Sequence, residues 1–373
     1  MSTRIAHCSG YIPDFSKSAA QRREHRLNIL LTSAGRRNYL VQWFVQALAG
    51  TGRTGRVFVA DRDPRAPAQV AADGFIPLPP YRSADYLTTL GQECARHEIS
   101  LLVPLNDYEL SALAGEPAAV LAAAGTRVLV PRLNIQRTIE DKYACAELVR
   151  AAGVATPTTR LGSDLLADPA ARDDLGDRLV VKHRFGSGSS GLVSCTTDDL
   201  EAQLRVCALT APDRSGLASS DPDQPRYDLV VVQSRILGVE YGIDAVADFR
   251  GRHLACLARR KLSMRAGETD RAVTVDPRPF AEVGGRIADA VAAPGLIDLD
   301  VIVDETGRSW VIDVNPRFGG GYPFSHLAGA DVPACYAAWH SGLEHDPKWL
   351  TATPGVTAAK YESLTTIAGF DRE

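Results

Sequence analysis

From Leu27 onward the chain alternates short apolar runs with helix-period stretches, and this alternation constrains the fold more than any other feature. Asn28 to Ser33, Arg56 to Ala60, Leu101 to Leu105 and Arg127 to Pro131 are continuous apolar runs, the signature of strands buried on both faces of a parallel sheet. Between them, Tyr39 to Leu48, Ala84 to His97 and Tyr108 to Ala124 repeat their apolar residues at helical spacing. The first 130 or so residues therefore predict an open βαβ sheet covered by helices on both sides. Ligands of such sheets sit beyond the carboxyl ends of the strands, which puts Ser33, Ala34, Gly35, Arg36, Asp61, Asp63, Asn106 and Asp107 on one rim. Substrate contact there, by Arg36 and Asp107, is the expectation. A dinucleotide site is not, because SAGRRN lacks the GxGxxG spacing.

A helix predicted over Asn134 to Ala152, closed by Gly153, leads into a different texture. Leu179 to His183 and Leu192 to Thr196 flank a loop, Asp228 to Gln233 is a third strand, and Tyr241 to Phe249 with His253 to Ala258 forms a hairpin. This is a mixed α+β region. Ala211 to Arg226 is rich in Pro, Ser and Asp and reads as a long surface loop inside it. After about Gly342 the pattern weakens into a tail, and residues 1–26 read as a flexible extension with no apolar segment of the signal-peptide kind.

The loop Gly186 to Gly191 carries chemistry in its composition. Gly186, Gly188 and Gly191 alternate with Ser187, Ser189 and Ser190, so backbone amides can wrap phosphate oxygens; a floppy hairpin loop has the same composition. Lys182 lies mid-strand just before it, where an ammonium in an apolar run needs an anion, and only six of the 41 basic residues are lysines. A second constellation is Asp300 with Asp313, Asn315 and Arg317. Leu299 to Val303 and Ser309 to Val314 predict a hairpin over Asp304 to Arg308, which brings Asp300 beside Asp313, with Asn315 on the same face as Asp313. Two carboxylates and an amide oxygen make a hard site suited to Mg²⁺, and Arg317 has the planar fork that holds phosphate or carboxylate.

Taken in order, these pieces resemble the ATP-grasp superfamily over roughly Leu27 to Gly342, in the branch similar to the carbamoyl-phosphate synthetase large chain and the amino-acid ligases. The segments that carry the resemblance are Asp141-Lys142, Val180-Val181-Lys182, the loop 186–191, Gln233-Ser-Arg-Ile-Leu-Gly-Val-Glu240 and Asp313-Val-Asn-Pro-Arg317. It implies an N-terminal open parallel sheet (27–133), a first clamp lobe with the glycine-rich loop (134–233), a second lobe with the metal site (234–342) and a tail (343–373). By the same resemblance Lys142 and Lys182 contact ATP phosphates. Gln233 and the backbone of Ser234 to Ile236 contact adenine, Glu240 the ribose, and Asp300, Asp313 and Asn315 hold Mg²⁺, for which Mn²⁺ can substitute. Gln233 and Asp300 stand where relatives usually carry Glu and Gln or Glu, and His183 where Pro is frequent.

The implied reaction is ATP-dependent joining of a small carboxylic acid or amino acid to an amine through an acyl phosphate, of the kind used in peptide or natural-product pathways. Lys182, Lys261 and Arg317 supply charge neutralisation. Arg260, Arg265, Arg271 and Arg317 are the candidate carboxylate and acyl-phosphate contacts, with Gly320, Gly321, Tyr322 and His326 shaping a substrate pocket, where His326 is also a candidate base. Within the same fold, carboxylation through carboxyphosphate is the alternative; outside it, a non-catalytic nucleotide-binding module. Partners are then small molecules. A net charge of −4 argues against a nucleic-acid partner and no run is long enough for a membrane span. Seven scattered cysteines, in neither disulfide nor CxxC spacing, fit a reducing cytoplasm. Oligomeric state is not readable from the residues, and the resemblance allows a homodimer.

Overall fold

A computed structural model describes residues 26–188, 191–218, 221 and 223–367. Ser189, Ser190 and the extension up to residue 25 lie outside the described residues. The N-terminal domain runs β1 (Leu27–Thr32), α1 (Asn38–Gly50), β2 (Gly55–Asp61), β3 (Gly74–Pro77), α2 (Tyr86–Arg96), β4 (Ile99–Pro104), α3 (Asp107–Leu113), α4 (Glu116–Ala123) and β5 (Arg127–Val128). Its sheet is parallel in the order β3-β2-β1-β4-β5. Strand alternation divides its core: Ile29, Leu31, Val57 and Val59 face α1, whereas Leu30, Phe58, Ala60 and Leu102 face α2.

Next along the chain come α5 (Leu133–Ile139) and α6 (Lys142–Ala151), which pack against the second lobe's sheet, and then the first lobe's β6 (Thr159–Leu161), α7 (Gly162–Ala167), β7 (Arg178–His183), β8 (Val193–Thr196), α8 (Leu200–Thr210) and β9 (Val230–Ser234). Its four strands form a sheet in the order β6-β9-β7-β8 over a core of its own. The second lobe contains β10 (Val239–Ala247), β11 (His253–Arg265), β12 (Glu268–Val275), α9 (Ala281–Val291), β13 (Gly295–Val303), β14 (Ser309–Asn315), α10 (Tyr322–Leu327), α11 (Val332–His340) and β15 (Thr357–Ala359). These strands make an antiparallel sheet, β14-β13-β10-β11-β12-β15, backed by α6 and α9.

Several expectations are corrected. The stretch 108–124 is two helices, because Gly115 turns the chain at φ 88° and packs against Leu133. The predicted helix 134–152 also breaks, at Glu140-Asp141, where Asp141 accepts from the amides of Tyr143 and Ala144 and so starts a new helix. The strand expected over His253 to Ala258 runs on to Arg265. Residues 343–367 run back over the sheet, with Thr357–Ala359 pairing with β12.

The triple glycine at 319–321 has a packing reason that the sequence did not suggest. Arg259, 1% exposed, donates to Asp244 at 2.6 Å and to Asp298 at 2.8 Å, with Ser325 Oγ at 3.4 Å. A Cβ at Gly319 would stand 2.0 Å from an Asp298 oxygen, and one at Gly321 would stand 2.1 Å from Arg259 Nε. Gly319 and Gly321 make room for a buried ion network. Gly319→Ala is therefore expected to destabilise by about 1–3 kcal/mol. Gly91→Ala, mid-helix with nothing within 4 Å of the new Cβ, is expected to stabilise by about 0.5–1 kcal/mol. Urea unfolding of both variants checks the pair.

Candidate active site

The site grows from the β13–β14 hairpin. Asp304 pins its turn by accepting from the Thr306 hydroxyl and amide, the Arg308 amide and the Trp310 indole. The resulting register sets Asp300 directly opposite Asp313 and Asp298 directly opposite Asn315. A bulge follows, since Asp300 pairs with Asp313 but Val301 with Val311. It leaves Ile312 outside the pairing, and Lys182 Nζ donates to the Ile312 carbonyl at 3.4 Å.

Like charges opposed across a ladder repel, and here each has a lysine from another element. Lys142, the first residue of α6, donates to Asp313 Oδ1 at 2.8 Å. Lys261, on β11, donates to Asp300 and Glu240 at 2.6 Å each. Asn315 Nδ2 adds a contact to Asp313 at 3.4 Å. Burial works to raise the Asp313 pKa, but Lys142 and Lys182 outweigh it and hold the carboxylate at about 2. Burial works to lower both Lys142 and Lys261, and their carboxylate partners keep both above the usual lysine value. Lys182, on β7, reaches a carbonyl instead of a carboxylate. Burial, then the neighbouring Lys142, push its pKa down to about 8. It is the cation of the three best placed to gain from an incoming anion.

Arg317, two residues past β14, holds Asp107 of the N-terminal domain through two hydrogen bonds of 2.6 and 2.8 Å. Asp107 also accepts from Ser187 Oγ at 2.6 Å, and Tyr108 donates to the Phe185 carbonyl at 3.1 Å. The glycine-rich loop is thus fastened to the N-terminal domain on one side. On the other, Gly188 lies against the β11–β12 turn, where a Cβ on Gly267 would fall 2.5 Å from the Gly188 carbonyl oxygen. Gly191 adopts φ 65°, and a Cβ there would strike His183 at 2.2 Å. At the other end of the cleft the buried Gln233 donates to Thr159 Oγ1 at 2.9 Å. Ser234 ends β9 beside Leu179, Gly186 starts the loop at the end of the β7 turn, and a half-buried Ile236 lies on the crossover to Glu240.

The remaining expected substrate contacts are dispersed. Arg36 is exposed, and it is Arg37 that turns inward to the Leu105 carbonyl at 3.1 Å. Arg260 and Arg271 are exposed, and Arg265 pairs with Asp270 and Glu362. Gly320 faces the Glu268 carboxylate. Tyr322, expected to line a pocket, is instead fully buried, with its hydroxyl accepting from the Val332 amide at 2.9 Å. His326 stacks on Trp43 with ring centroids 3.8 Å apart. Arg259, Asp244 and Asp298 were missed, although Lys261 facing inward puts Arg259, two residues earlier in the strand, on the same face.

Burial lowers the His326 pKa to about 4, so the ring is neutral at pH 7. Because the unfolded chain takes up a proton near the ordinary histidine value and the folded one does not, His326 costs stability as pH falls from about 6.5 towards 4. His326→Phe keeps the stack on Trp43 and removes this term. Its melting temperature relative to the parent chain is expected to improve between pH 7 and pH 5, measured by calorimetry in matched buffers.

Comparison with known proteins agrees with this arrangement. Residues 29–136 match the family model described as the PylC-like N-terminal domain, and residues 226–364 match one described as ATP-grasp in the biosynthetic pathway with Ter operon. No curated protein sequence matches. Among solved structures, biotin carboxylase from Campylobacter jejuni superposes with a TM-score of 0.68 at 15% identity, over 88% of this chain and 74% of that one. N5-carboxyaminoimidazole synthetase from Staphylococcus aureus gives 0.63 at 14% identity, over 90% and 81%. L-amino acid ligase from Bacillus licheniformis gives 0.61 at 15% identity, over 88% and 78%. With a parallel-sheet domain ahead of two lobes whose lysines meet paired carboxylates, the chain has the fold of these structures, and its residues 226–364 are similar to an ATP-grasp domain.

Proposed function

We propose that the protein is an ATP-dependent carboxylate–amine ligase, and the observation that carries this reading is the opposed pair Asp300 and Asp313 with Lys142, Lys182 and Lys261 converging on it. Both carboxylates and the Asn315 side-chain oxygen are hard donors, and each carboxylate is now neutralised by a lysine. Such a set fits Mg²⁺, or Mn²⁺ in its place, bound together with nucleotide phosphates. When bound there, such an ion would offset the negative charge that develops on the transferred phosphoryl group. The lysines released from Asp300 and Asp313 are then free to hold phosphate oxygens, so metal and nucleotide bind as a unit.

The chain's own residues do the rest by position. Lys182, short of a carboxylate partner, gains most from the phosphates. Gln233 and the backbone of Ser234 to Ile236 hold the adenine edge, and Glu240 accepts from the ribose once Lys261 moves to phosphate. The loop 186–191 covers the phosphates and excludes water from an acyl phosphate formed when a substrate carboxylate attacks the γ-phosphorus and ADP departs. Arg317, oriented by Asp107, faces the acyl-phosphate oxygens. An amine then attacks the acyl carbon and phosphate leaves. The substrates are small molecules of the acid and amine classes, and the enzyme is read as cytoplasmic and able to form a homodimer; among the described residues no helix is long and apolar enough to cross a membrane. Two of the superposed neighbours are named for carboxylation, which supports a second reading, transfer through carboxyphosphate.

The test is ADP and phosphate release from Mg-ATP with a panel of amino acids, other small acids and bicarbonate, singly and with amines, and with hydroxylamine as a trap. Release that depends on one acid and yields a hydroxamate is the expected result; release with bicarbonate alone moves the assignment to carboxylation, and nucleotide binding without turnover defeats both. Lys182→Ala is expected to lower kcat by about 10²-fold or more. Asp313→Ala is expected to abolish the Mg²⁺-dependent part of ATP binding, read by calorimetry.

A further inference from the structure

The N-terminal sheet ends at β5, and beside that edge strand lies an open cavity of about 650 Å³, walled by α4, β5, the segment leading into α5 and the last residue of α11. None of the candidate active-site residues lines it. Its size has a cause in the sequence. Helix α4 presents Ala118 and Ala122 one turn apart, with Gly115 before them and Gly125 after, where larger side chains would fill the space. Val128, Val130 and Leu133 complete an apolar lining. Sites for small organic molecules hold about 300–1,000 Å³, and this cavity falls within that range.

The polar groups on its wall define the ligand's chemistry. Arg127, Arg132 and His340 line the cavity, and no carboxylate, thiol or hydroxyl does. Burial, then the neighbouring Arg127, lower the His340 pKa to about 4, so at pH 7 the two guanidinium groups set the charge. Neither has an ion pair or a side-chain hydrogen bond among the described residues: Arg127 lies over the Phe249 ring, 5.4 Å from its centroid, and Arg132 is exposed. At the candidate active site, by contrast, Arg214 and Arg317 each hold a carboxylate. Two planar forks left free beside an apolar hollow suit an anion that carries a hydrocarbon body.

The strand edge adds a donor. The Leu129 amide donates to the Leu102 carbonyl at 3.0 Å, and alternation along a parallel strand then turns the amide and carbonyl of Val128 to the unpaired side. An added protein strand does not suit this edge, because β5 is two residues long and Pro131, just beyond it, has no N–H to give.

We propose that this cavity is a second ligand site, which binds a small molecule with one anionic head and an apolar body. Arg127, Arg132 and the Val128 amide hold the head, and Ala118, Ala122 and Leu133 cover the body. Carboxylate and phosphate monoester heads share this chemistry. The assignment does not depend on the ligase reading above.

The experiment titrates the full chain by calorimetry, at fixed ionic strength and below micelle formation, with sodium octanoate, octyl phosphate, octylammonium chloride and inorganic phosphate. One equivalent of octanoate or octyl phosphate is expected to bind, with octylammonium and inorganic phosphate at least about tenfold weaker, and the tighter of the two anions names the head group. Arg127→Gln and Arg132→Gln are each expected to weaken that anion about tenfold, the worth of a charge-assisted hydrogen bond. Ala118→Trp, which fills the hollow, is expected to abolish binding with the melting temperature unchanged, and Lys182→Ala, at the other site, to keep the parental affinity. Octylammonium binding as tightly as the anions overturns the proposal, since the cavity is then merely apolar. A loss in Lys182→Ala, or no saturable binding in the parent chain, overturns it too. Self-association of the parent chain that Ala118→Trp abolishes, read by sedimentation, gives the cavity to a second copy and likewise overturns it. If Ala118→Trp does not fold, the arginine variants decide: weaker binding in both sustains the proposal, and parental affinity in either overturns it.

Discussion

Two aspartates facing each other across an antiparallel ladder are an unstable arrangement unless something neutralises them, and the rest of this molecule is arranged around doing so. Asp300 and Asp313 sit at paired positions of β13 and β14. Their partners arrive from separate places: Lys142 from the head of α6, Lys261 from β11 two strands away, and Lys182 from the opposing lobe, held by a carbonyl that a bulge frees. Each cation is brought there by a different piece of the fold. Mutual positioning of the two lobes is therefore an electrostatic matter as well as one of packing. Because the carboxylates are shared between lysines now and a divalent ion under the proposed function, the same residues serve folding in one state and catalysis in the other.

Beneath this pair lies a second ion network that plays no part in the proposed chemistry. Arg259 is buried between Asp244 and Asp298 with Ser325 beside it, while its own Nε and Asp244 Oδ1 are buried without a hydrogen-bond partner. Removing one member would leave a charge stranded in the core, so the network locks the floor of the cleft and requires glycine at 319 and 321. Burial comes first among the influences on Asp298 and raises its pKa to about 7 despite the arginine. The two layers divide the work: the lower one fixes the strands, and the upper one is exposed enough to exchange partners.

Much of this was legible in the residues. Apolar runs at β1, β2 and β4 announced the parallel sheet because strands buried on both faces leave no room for polar alternation. The Asp304 to Arg308 turn announced the hairpin that pairs Asp300 with Asp313. What failed did so for identifiable reasons. Helical periodicity persists across Gly115 and across Glu140-Asp141, so a break set by one positive φ and one capping carboxylate is invisible to a periodic pattern. Arg260 and Lys261 were expected to reach the same site, but strand alternation sends Arg259 and Lys261 inward and leaves Arg260 exposed. Three glycines before Tyr322 looked like a place for substrate, since nothing local tells that an arginine sixty residues earlier needs the space.

One feature of the core has a bearing on how such chains can be rearranged. Phe44 and Ile29 of the N-terminal domain share a single buried cluster with Phe318, Tyr322 and Tyr336 of the second lobe, whereas the β6–β9 sheet with α7 and α8 keeps a core to itself and α5 and α6 pack into the core of the second lobe. The order along the chain is thus not the order of attachment: the N-terminal domain, α5, α6 and the second lobe share packed cores, and the segment from β6 to β9 is carried between them. Recombination that exchanged the middle lobe alone would keep every aromatic contact of that shared cluster. Exchange of the N-terminal sheet by itself would strip the cover from three aromatic rings, so the outer two parts have reason to be inherited together while the lobe between them is free to diverge.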